Sequence, residues 1–259
     1  MRFASLGSGS AGNALVVEAQ ATRLLLDCGF GIKDTLLRLG RLDLAAEQLS
    51  GILVTHEHDD HAGGVMKLAS KYRIPVWLTH GTLTMIERFL PKQRDFDIHI
   101  IDSHQAFNIG NLLVQPFPVP HDAREPVQFV FHDGMHKLGV LTDTGMSTPH
   151  IELMLNACDA LALECNHDLD MLMNGPYAWP LKKRVSSRLG HLDNASSAAI
   201  LEKLDNSKLQ HIIAAHLSAK NNSPTLAKTA LSGVLGCESE WIGIADQRLG
   251  FDWREIRQN

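Results

Sequence analysis

The sequence predicts an α/β protein in which two sheets carry helices on their outer faces. Two observations lead there. The first third of the chain alternates apolar strands with helical segments, the pattern of βα units, and residues 98–142 then read as five short strands in succession. A third observation says where the chemistry lies. Thr55-His56-Glu57-His58-Asp59-Asp60-His61-Ala62-Gly63-Gly64 places three histidines and three carboxylates in six consecutive positions, directly behind an apolar run.

Residues 2–6 read as a strand and Gly7-Ser8-Gly9-Ser10-Ala11-Gly12-Asn13 as a tight turn. The spacing Gly7-x-Gly9-x-x-Gly12 matches a dinucleotide fingerprint, but Ala14-Leu15-Val16-Val17-Glu18-Ala19 follows as a strand where that motif requires a helix. Arg23-Leu24-Leu25-Leu26-Asp27 is the next strand, completing a hairpin. Helical periodicity covers 32–39, and a second short helix is expected over 42–49. Gly51-Ile52-Leu53-Val54, the histidine stretch and a helix over 62–72 form a βα unit. Ile74-Pro75-Val76-Trp77-Leu78 is a strand with Pro75 at its start or on an edge, and 83–89 is helical. The five middle strands are 98–101, 106–109, 111–117, 127–132 and 137–142. Helices are expected over 149–156, 179–188, 194–204 and 224–235, with strands over 160–164, 210–214, 240–244 and 249–253. No internal repeat, low-complexity tract or linker is visible, and 1–259 is taken as a single domain.

Hydrophobic residues make up 44% and charged residues 20%, enough to bury an ordinary core. The net charge of −5 argues against bulk electrostatic binding of nucleic acid but leaves room for a local basic patch. The four cysteines, Cys28, Cys158, Cys165 and Cys237, contain no Cys-x-x-Cys pair and are too few for a disulfide framework, so reduced thiols are expected. With no apolar signal segment and no run of membrane-spanning length, the expectation is a soluble, cytoplasmic protein.

The histidine stretch sits on a loop at the carboxyl end of a strand, where rigid elements on either side fix side-chain positions. In an extended segment His56 and His58 point the same way, and Asp60 and His61 can turn toward a second point. One loop can therefore serve two neighbouring metals. The zincin pattern is excluded, because it needs a histidine where Asp60 stands. Crowded charges at a strand end call for a compensating partner, usually a metal. Further ligands are then expected at other strand ends, and His121, Asp143 and His216 each follow an extended apolar run.

In this order the residues resemble the metallo-β-lactamase fold superfamily over the whole chain: Asp27; then His56, His58, Asp60 and His61; then His121, Asp143 and His216. The resemblance implies a four-layer αββα sandwich with a dinuclear site at one edge of the sheets. It implies His56, His58 and His121 on one ion, Asp60, His61 and His216 on the other, and Asp143 bridging. Asp27 would orient the histidine loop from behind the ligands. Ser5-Leu6-Gly7-Ser8-Gly9-Ser10-x-Gly12-Asn13, Thr55-His56-Glu57-His58, Glu164-Cys165-Asn166-His167-Asp168 and Gly190-His191-Leu192-x-Asn194 look like the YycJ/WalJ-type subgroup, described as single-domain 5′→3′ DNA exonucleases. Asp59 and Asp193 depart from that pattern, where serine is expected. Asp193 would add negative charge near the substrate. The interval from Asp143 to His191 is too short for a β-CASP insertion.

The implied cofactors are two divalent ions, zinc or manganese, with iron also admitted by the donor set. Such ions, roughly 3.5–4 Å apart, acidify a bridging water and clamp the attacking and leaving oxygens of a phosphodiester. The resemblance gives Asp60 and His191 catalytic roles, His191 in contact with the scissile phosphate and protonating the leaving oxygen. Glu164 and His167 are expected as supporting partners. Residues 171–192 contain no acid but do contain Lys182, Lys183, Arg184 and Arg188, with Tyr177 and Trp179 just before, a combination suited to a nucleic-acid backbone and stacked bases. Helical spacing would put Arg184 and Arg188 on one face. Three functions compete: a nuclease with DNA favoured, a hydrolase of a small lactone, thioester or cyclic phosphodiester, and a non-catalytic metal-stabilised binding module. The presence of every expected ligand disfavours the last.

Overall fold

Leu24, Leu25 and Leu26 follow one another, and none is more than 3% exposed. A strand covered on one face alternates apolar and polar residues; an unbroken apolar run needs cover on both. In the computed structural model, which describes residues 1–87, 90 and 95–258, this strand is covered on both. Leu25 packs with outer helices, whereas Leu24 and Leu26 face a second sheet.

The first sheet contains β1 (Arg2–Gly7), β2 (Ala14–Ala19), β3 (Thr22–Leu26), β4 (Gly51–Leu53), β5 (Val76–Thr79) and β6 (Ile98–Ile101), with β14 (Phe251–Glu255) on the edge beside β1. The second contains, in spatial order, β7 (Phe107–Ile109), β8 (Leu112–Pro118), β9 (Val127–His132), β10 (Lys137–Leu141), β11 (Ala160–Glu164), β12 (His211–Ala215) and β13 (Gly243–Ile244). Each sheet begins with antiparallel pairs and ends in a parallel stretch, β3 to β6 in one and β10 to β13 in the other. No repeat in the sequence announces this shared pairing pattern.

Phe3, Val17 and Leu53 of the first sheet meet Val114, Phe129, Phe131 and Val140 of the second, forming the central core. Outside the first sheet lie α1 (Ile32–Arg41), α2 (Asp59–Ala62), α3 (Val65–Tyr72) and α4 (His80–Ile86), contributing Leu39, Val65, Leu68 and Ile86. Outside the second lie α5 (Pro149–Leu155), α8 (Asn194–Lys203) and α9 (Pro224–Leu235), contributing Ile151, Leu155, Ile200, Leu201 and Leu231. The layers are thus αββα, as expected. Two further helices, α6 (Leu169–Asn174) and α7 (Trp179–Val185), follow β11. Among the described residues no helix is long and apolar enough to cross a membrane, and all four cysteines are free.

Several elements differ from expectation for identifiable reasons. The helix expected over 42–49 is only a 3₁₀ turn, Ala46–Gln48, because Asp43 takes a left-handed φ of 57° that ends helical continuity. The helix expected over 62–72 starts only at Val65, as α3, separated by Gly63 and Gly64 from the short helix α2 that ends at Ala62. At the break, a Cβ on Gly64 would stand 2.0 Å from the Phe30 carbonyl oxygen, and the Gly64 N–H donates to Cys28 O instead. α4 starts at His80 on a Thr79 cap, and the expected extension to Arg88 and Phe89 lies outside the described residues. The strand expected over 240–244 gives its start to a 3₁₀ turn, Ser239–Trp241. Helix α6 was not anticipated, although Asp168 caps it through the Met171 N–H.

Candidate metal centre

The strands deliver their ligand-type residues to one end of the sandwich. Asp27 follows β3, the 55–61 segment follows β4, His121 lies just beyond β8, Asp143 follows β10, Glu164 ends β11 and His216 follows β12. Three of them, Asp27, Asp143 and His216, hold left-handed backbone conformations (φ 60°, 51° and 55°). Non-glycine residues take this conformation at a cost, and the surrounding contacts must impose it.

The histidine segment splits as its spacing suggests. His58 is the N-cap of α2, so the chain is extended before it and turns helical after it. His58 Nδ1 lies 3.1 Å from His56 Nε2 and 3.3 Å from His121 Nε2, three imidazole nitrogens converging on one point. Asp60, His61 and His216 form a second convergent group. Asp143 and His61 join the two, since both also group with His56. A further grouping places Asp143, Glu164, His191 and His216 together.

Side chains behind these groups hold them in place. Asp27 accepts from the Thr55 N–H at 2.8 Å and the Thr55 hydroxyl at 2.9 Å, and its Oδ2 lies 2.8 Å from His61 Nδ1. It thus anchors the start of the loop and one of its histidines together. Glu164 Oε2 accepts from the Thr144 and Leu192 N–H groups, while its Oε1 lies 2.8 Å from His191 Nδ1 and 3.3 Å from His216 Nδ1. Asn13 was noted only as part of a motif, yet it ties the Gly-rich turn to the centre. Its Oδ1 accepts from the Ser8 hydroxyl and the Gly9 N–H, its Nδ2 lies 3.3 Å from Asp60 Oδ2 and 3.0 Å from His61 Nε2, and Ser8 Oγ accepts from the His216 N–H.

The electrostatics divide along the same line. Burial disfavours charge on all of these groups. At His61 the Asp143 and Asp27 carboxylates overcome that penalty and raise the imidazole to about 10. They act with Asp60 and Glu164 likewise: His216 is raised well above its ordinary value, mainly by Asp143. Against its own burial, His191 is raised to about 9 by Glu164 and Asp143. In return Asp143 is held well below the carboxylate range by His216 and His61, and Glu164 is brought to about 2, chiefly by His191. His56 and His121 have no adequate compensation, and burial pushes both down.

These residues fit divalent cations. Asp143 Oδ2 and His216 Nε2 are buried without a hydrogen-bond partner among the described residues. Buried polar atoms ordinarily have one; these two belong to the convergent groups, where Asp143 Oδ2 also lies 2.8 Å from His61 Nε2. Imidazole nitrogens with carboxylate oxygens form a donor set for zinc, manganese or iron.

A cavity of about 350 Å³ opens beside the centre, lined by His58, Asp60, Asp143, His191 and His216 and walled by Tyr177, Leu181, Arg184 and Val185. Gly190 delivers His191: a Cβ there would meet the Val185 carbonyl oxygen at 2.2 Å, and the His191 N–H donates to that same oxygen. Other expected residues stand elsewhere. His167 is 1% exposed, joins none of the ligand groups, and has no partner at either ring nitrogen among the described residues. Asp193 caps α8 through the Ser196 N–H and does not line the cavity, whereas Asp59 does. Lys182 is buried, its ammonium donating to Met173 O at 2.6 Å. Lys183 is exposed over Trp179. Helix α7 ends at Val185, so Arg188 does not share a helical face with Arg184, and only Arg184 reaches the cavity. Asp122, which the sequence reading passed over, lines the cavity and pairs with Arg184 at 2.6 Å.

Two stacked sheets with histidine and carboxylate groups gathered at one end define a metal-dependent hydrolase of the metallo-β-lactamase fold. The comparisons agree. Residues 22–213 match the family described as "Beta-lactamase superfamily domain". The chain is 35% identical to exodeoxyribonuclease YycJ of Bacillus anthracis, covering 95% of this chain and 92% of that one. It is 32% identical to exodeoxyribonuclease WalJ of Streptococcus pneumoniae, covering 94% and 91%. In structure it is similar to the metallo-β-lactamase fold protein YhfI of Bacillus subtilis, with a TM-score of 0.76 at 16% identity over 96% of this chain and 97% of that one. The chain belongs to the β-lactamase superfamily and, within it, to the YycJ/WalJ family.

Proposed function

We propose that this chain is a two-metal nuclease that removes nucleotides from a DNA end in the 5′→3′ direction, acting in the cytoplasm with zinc or manganese, or alternatively iron. The observation that carries the reading is the pair of adjoining ligand groups, His56/His58/His121 and Asp60/His61/His216, with Asp143 between them. Identity to the two exodeoxyribonucleases over nearly the whole chain supports the substrate class. When bound, the ions supply Lewis-acid polarisation of a phosphoryl oxygen and acidify the attacking water. The chain's own residues supply the rest. Asp60, at the cavity wall, would hold the second ion together with His61 and His216. His191 is oriented through Nδ1 by Glu164, which leaves Nε2 to deliver a proton to the leaving oxygen. Asp27 and Asn13 keep the ligands in place. Lys183 and Arg188, both exposed, are available to a phosphate backbone outside the cavity.

One observation favours the second reading, a small-molecule hydrolase. The cavity volume of about 350 Å³ suits a small ligand, and its walls carry Asp59, Asp60, Asp122 and Asp143, with Arg184 as the only Lys or Arg among the described residues. The deciding experiment incubates metal-reconstituted protein with end-labelled single- and double-stranded DNA and RNA. Release of mononucleotides from one DNA end, abolished by chelator, is the expected result. Hydrolysis of nitrophenyl or lactone esters with no cleavage of any nucleic acid would leave the second reading standing.

A further inference from the structure

Asp122 joins none of the ligand groups, yet it stands at the cavity wall between the His58/His121 pair and Arg184. Its Oδ1 lies 3.6 Å from His121 Nε2 and 3.9 Å from His58 Nε2, and its Oδ2 accepts from Arg184 Nε at 2.6 Å. Its N–H donates to Leu189 O at 3.0 Å, tying the segment after β8 to the segment after α7. Arg184 is the only Lys or Arg lining the cavity among the described residues, and its side chain is 61% exposed.

A guanidinium carries five N–H donors. Asp122 takes the one on Nε, and among the described residues no other hydrogen bond engages the terminal nitrogens. Those nitrogens form the fork that binds a phosphate through two parallel bonds. An arginine this exposed would otherwise sample many rotamers, and ordering it on binding would oppose affinity. Asp122 fixes it beforehand. The separation also matters. One carboxylate group spans the gap between the histidine cluster and Arg184, so a phosphate gripped by Arg184 is an immediate neighbour of one lying at the cluster.

We propose that Asp122 is a positioning residue that holds Arg184 at the cavity wall, where the free guanidinium edge binds a second substrate phosphate adjacent to the one being cleaved. The inference rests on the nuclease reading and sharpens it: the site selects molecules with two neighbouring phosphates over isolated phosphoesters. It also explains how an acid-lined cavity tolerates a polyanion, since Arg184 neutralises Asp122 and keeps donors to spare.

The test compares Arg184→Ala, Arg184→Lys, Asp122→Asn, Asp122→Ala and the Arg184→Ala/Asp122→Ala double variant, all purified with their metals. Arg184→Ala is expected to raise KM for a single-stranded oligonucleotide about 10- to 100-fold, the size of a lost charge-assisted contact. The effect falls on KM more than on kcat, and is much smaller on bis(4-nitrophenyl) phosphate, which has one phosphate. Arg184→Lys keeps charge and helix but loses the fork, so its KM also rises. Both Asp122 variants raise KM in the same direction. The double variant is no worse than Arg184→Ala, because removing Arg184 alone leaves the Asp122 carboxylate facing the substrate. Elemental analysis is expected to find the wild-type metal content in every variant. An unchanged oligonucleotide KM, equal losses on both substrates, or metal loss in Asp122→Ala would each overturn the proposal, the last by making Asp122 a ligand. If the wild type cleaves no nucleic acid, the nuclease reading fails by itself. Calorimetric titration with thymidine 3′,5′-bisphosphate then decides the present point: weaker binding by Arg184→Ala and Asp122→Ala supports it, and equal binding or none by the wild type overturns it.

Discussion

The two halves of the centre use the same residue types but are built differently. The His56/His58/His121 half contains no carboxylate, and one member, His58, has a side chain 30% exposed. Its nitrogens converge because an extended loop and a strand end bring them together. The Asp60/His61/His216 half is buried to a similar degree, its Asp60 side chain 25% exposed, but leans on side chains from many elements: Asp27 after β3, Asp143 after β10, Glu164 in β11, and Asn13 from the turn before β2. Of the left-handed residues, His216 is a member of this half, Asp27 braces its His61, and Asp143 joins it to the other half. The contrast teaches that ligand identity alone does not define a metal site. One half is placed by its backbone, the other by a charge network in which each member restrains several others, so damage should spread further in the second.

The largest expected effect follows from that contrast. Asp60→Ala should lose one ion and reduce activity by roughly 10⁴-fold or more, about 5.5 kcal/mol of barrier. His58→Ala should lose the ion of the other half and leave the second bound. Elemental analysis beside the rate measurement decides it. If each variant releases both ions, the halves are a single unit and the contrast fails.

His191 belongs to neither half, although it groups geometrically with Asp143, Glu164 and His216. His191→Ala should keep both ions and lose roughly 10²–10⁴-fold in rate, the range for a missing general acid. The loss should shrink for an activated ester, whose leaving group needs little protonation. Release of an ion from this variant would instead make His191 a ligand and enlarge the carboxylate-rich half.

The reach of the sequence follows the same division. The ligand candidates were legible because each is a ligand-type residue just past an apolar run, and the strands were legible by their length and composition. What stayed hidden depends on contacts between distant segments. Asp122 gains its meaning from Arg184, 62 residues away, and Asn13 from Asp60, 47 away. Lys182 reads as part of a basic patch, yet in the fold it is buried and its ammonium donates to Met173 O. Charge runs do not say which face is buried. His167 sits in a motif beside Asn166, but it joins none of the ligand groups. Helices α2 and α6, four and six residues long, are too short for periodicity to declare.

Asn13→Ala probes the bracing itself. The substitution leaves the buried Ser8 hydroxyl and Gly9 N–H without their acceptor and frees Asp60 and His61 from one restraint. Affinity for the second ion should fall about 10- to 100-fold, as for other residues that support ligands from behind. The first ion should be held as in the wild type. Competition with a chromogenic chelator measures both. Equal weakening of the two ions would show that the Gly-rich turn supports the whole centre.

The smallest effect comes from a depressed carboxylate that lies outside both halves. Asp133, in the turn between β9 and β10, is partly buried, which works against its charge. Hydrogen bonds from the His136 side chain, then from the His136 and Met135 N–H groups, overcome this and hold the carboxyl well below its ordinary range. A group whose folded-state value is lowered contributes stability above its unfolded value, near about 3.9, and loses that contribution as pH falls toward the folded value. Solvent screens this turn, so Asp133→Asn should cost about 1 kcal/mol at pH 7 rather than the larger cost of a buried charge. The deficit should persist down to about pH 4 and shrink below it, as the wild-type acid takes up its proton. Urea unfolding of both proteins from pH 7 to pH 3 measures the difference. Metal content and activity should be unchanged, because this carboxylate touches no ligand group. A deficit that stayed constant across the whole range would trace the loss to the shape of the turn instead of to its charge.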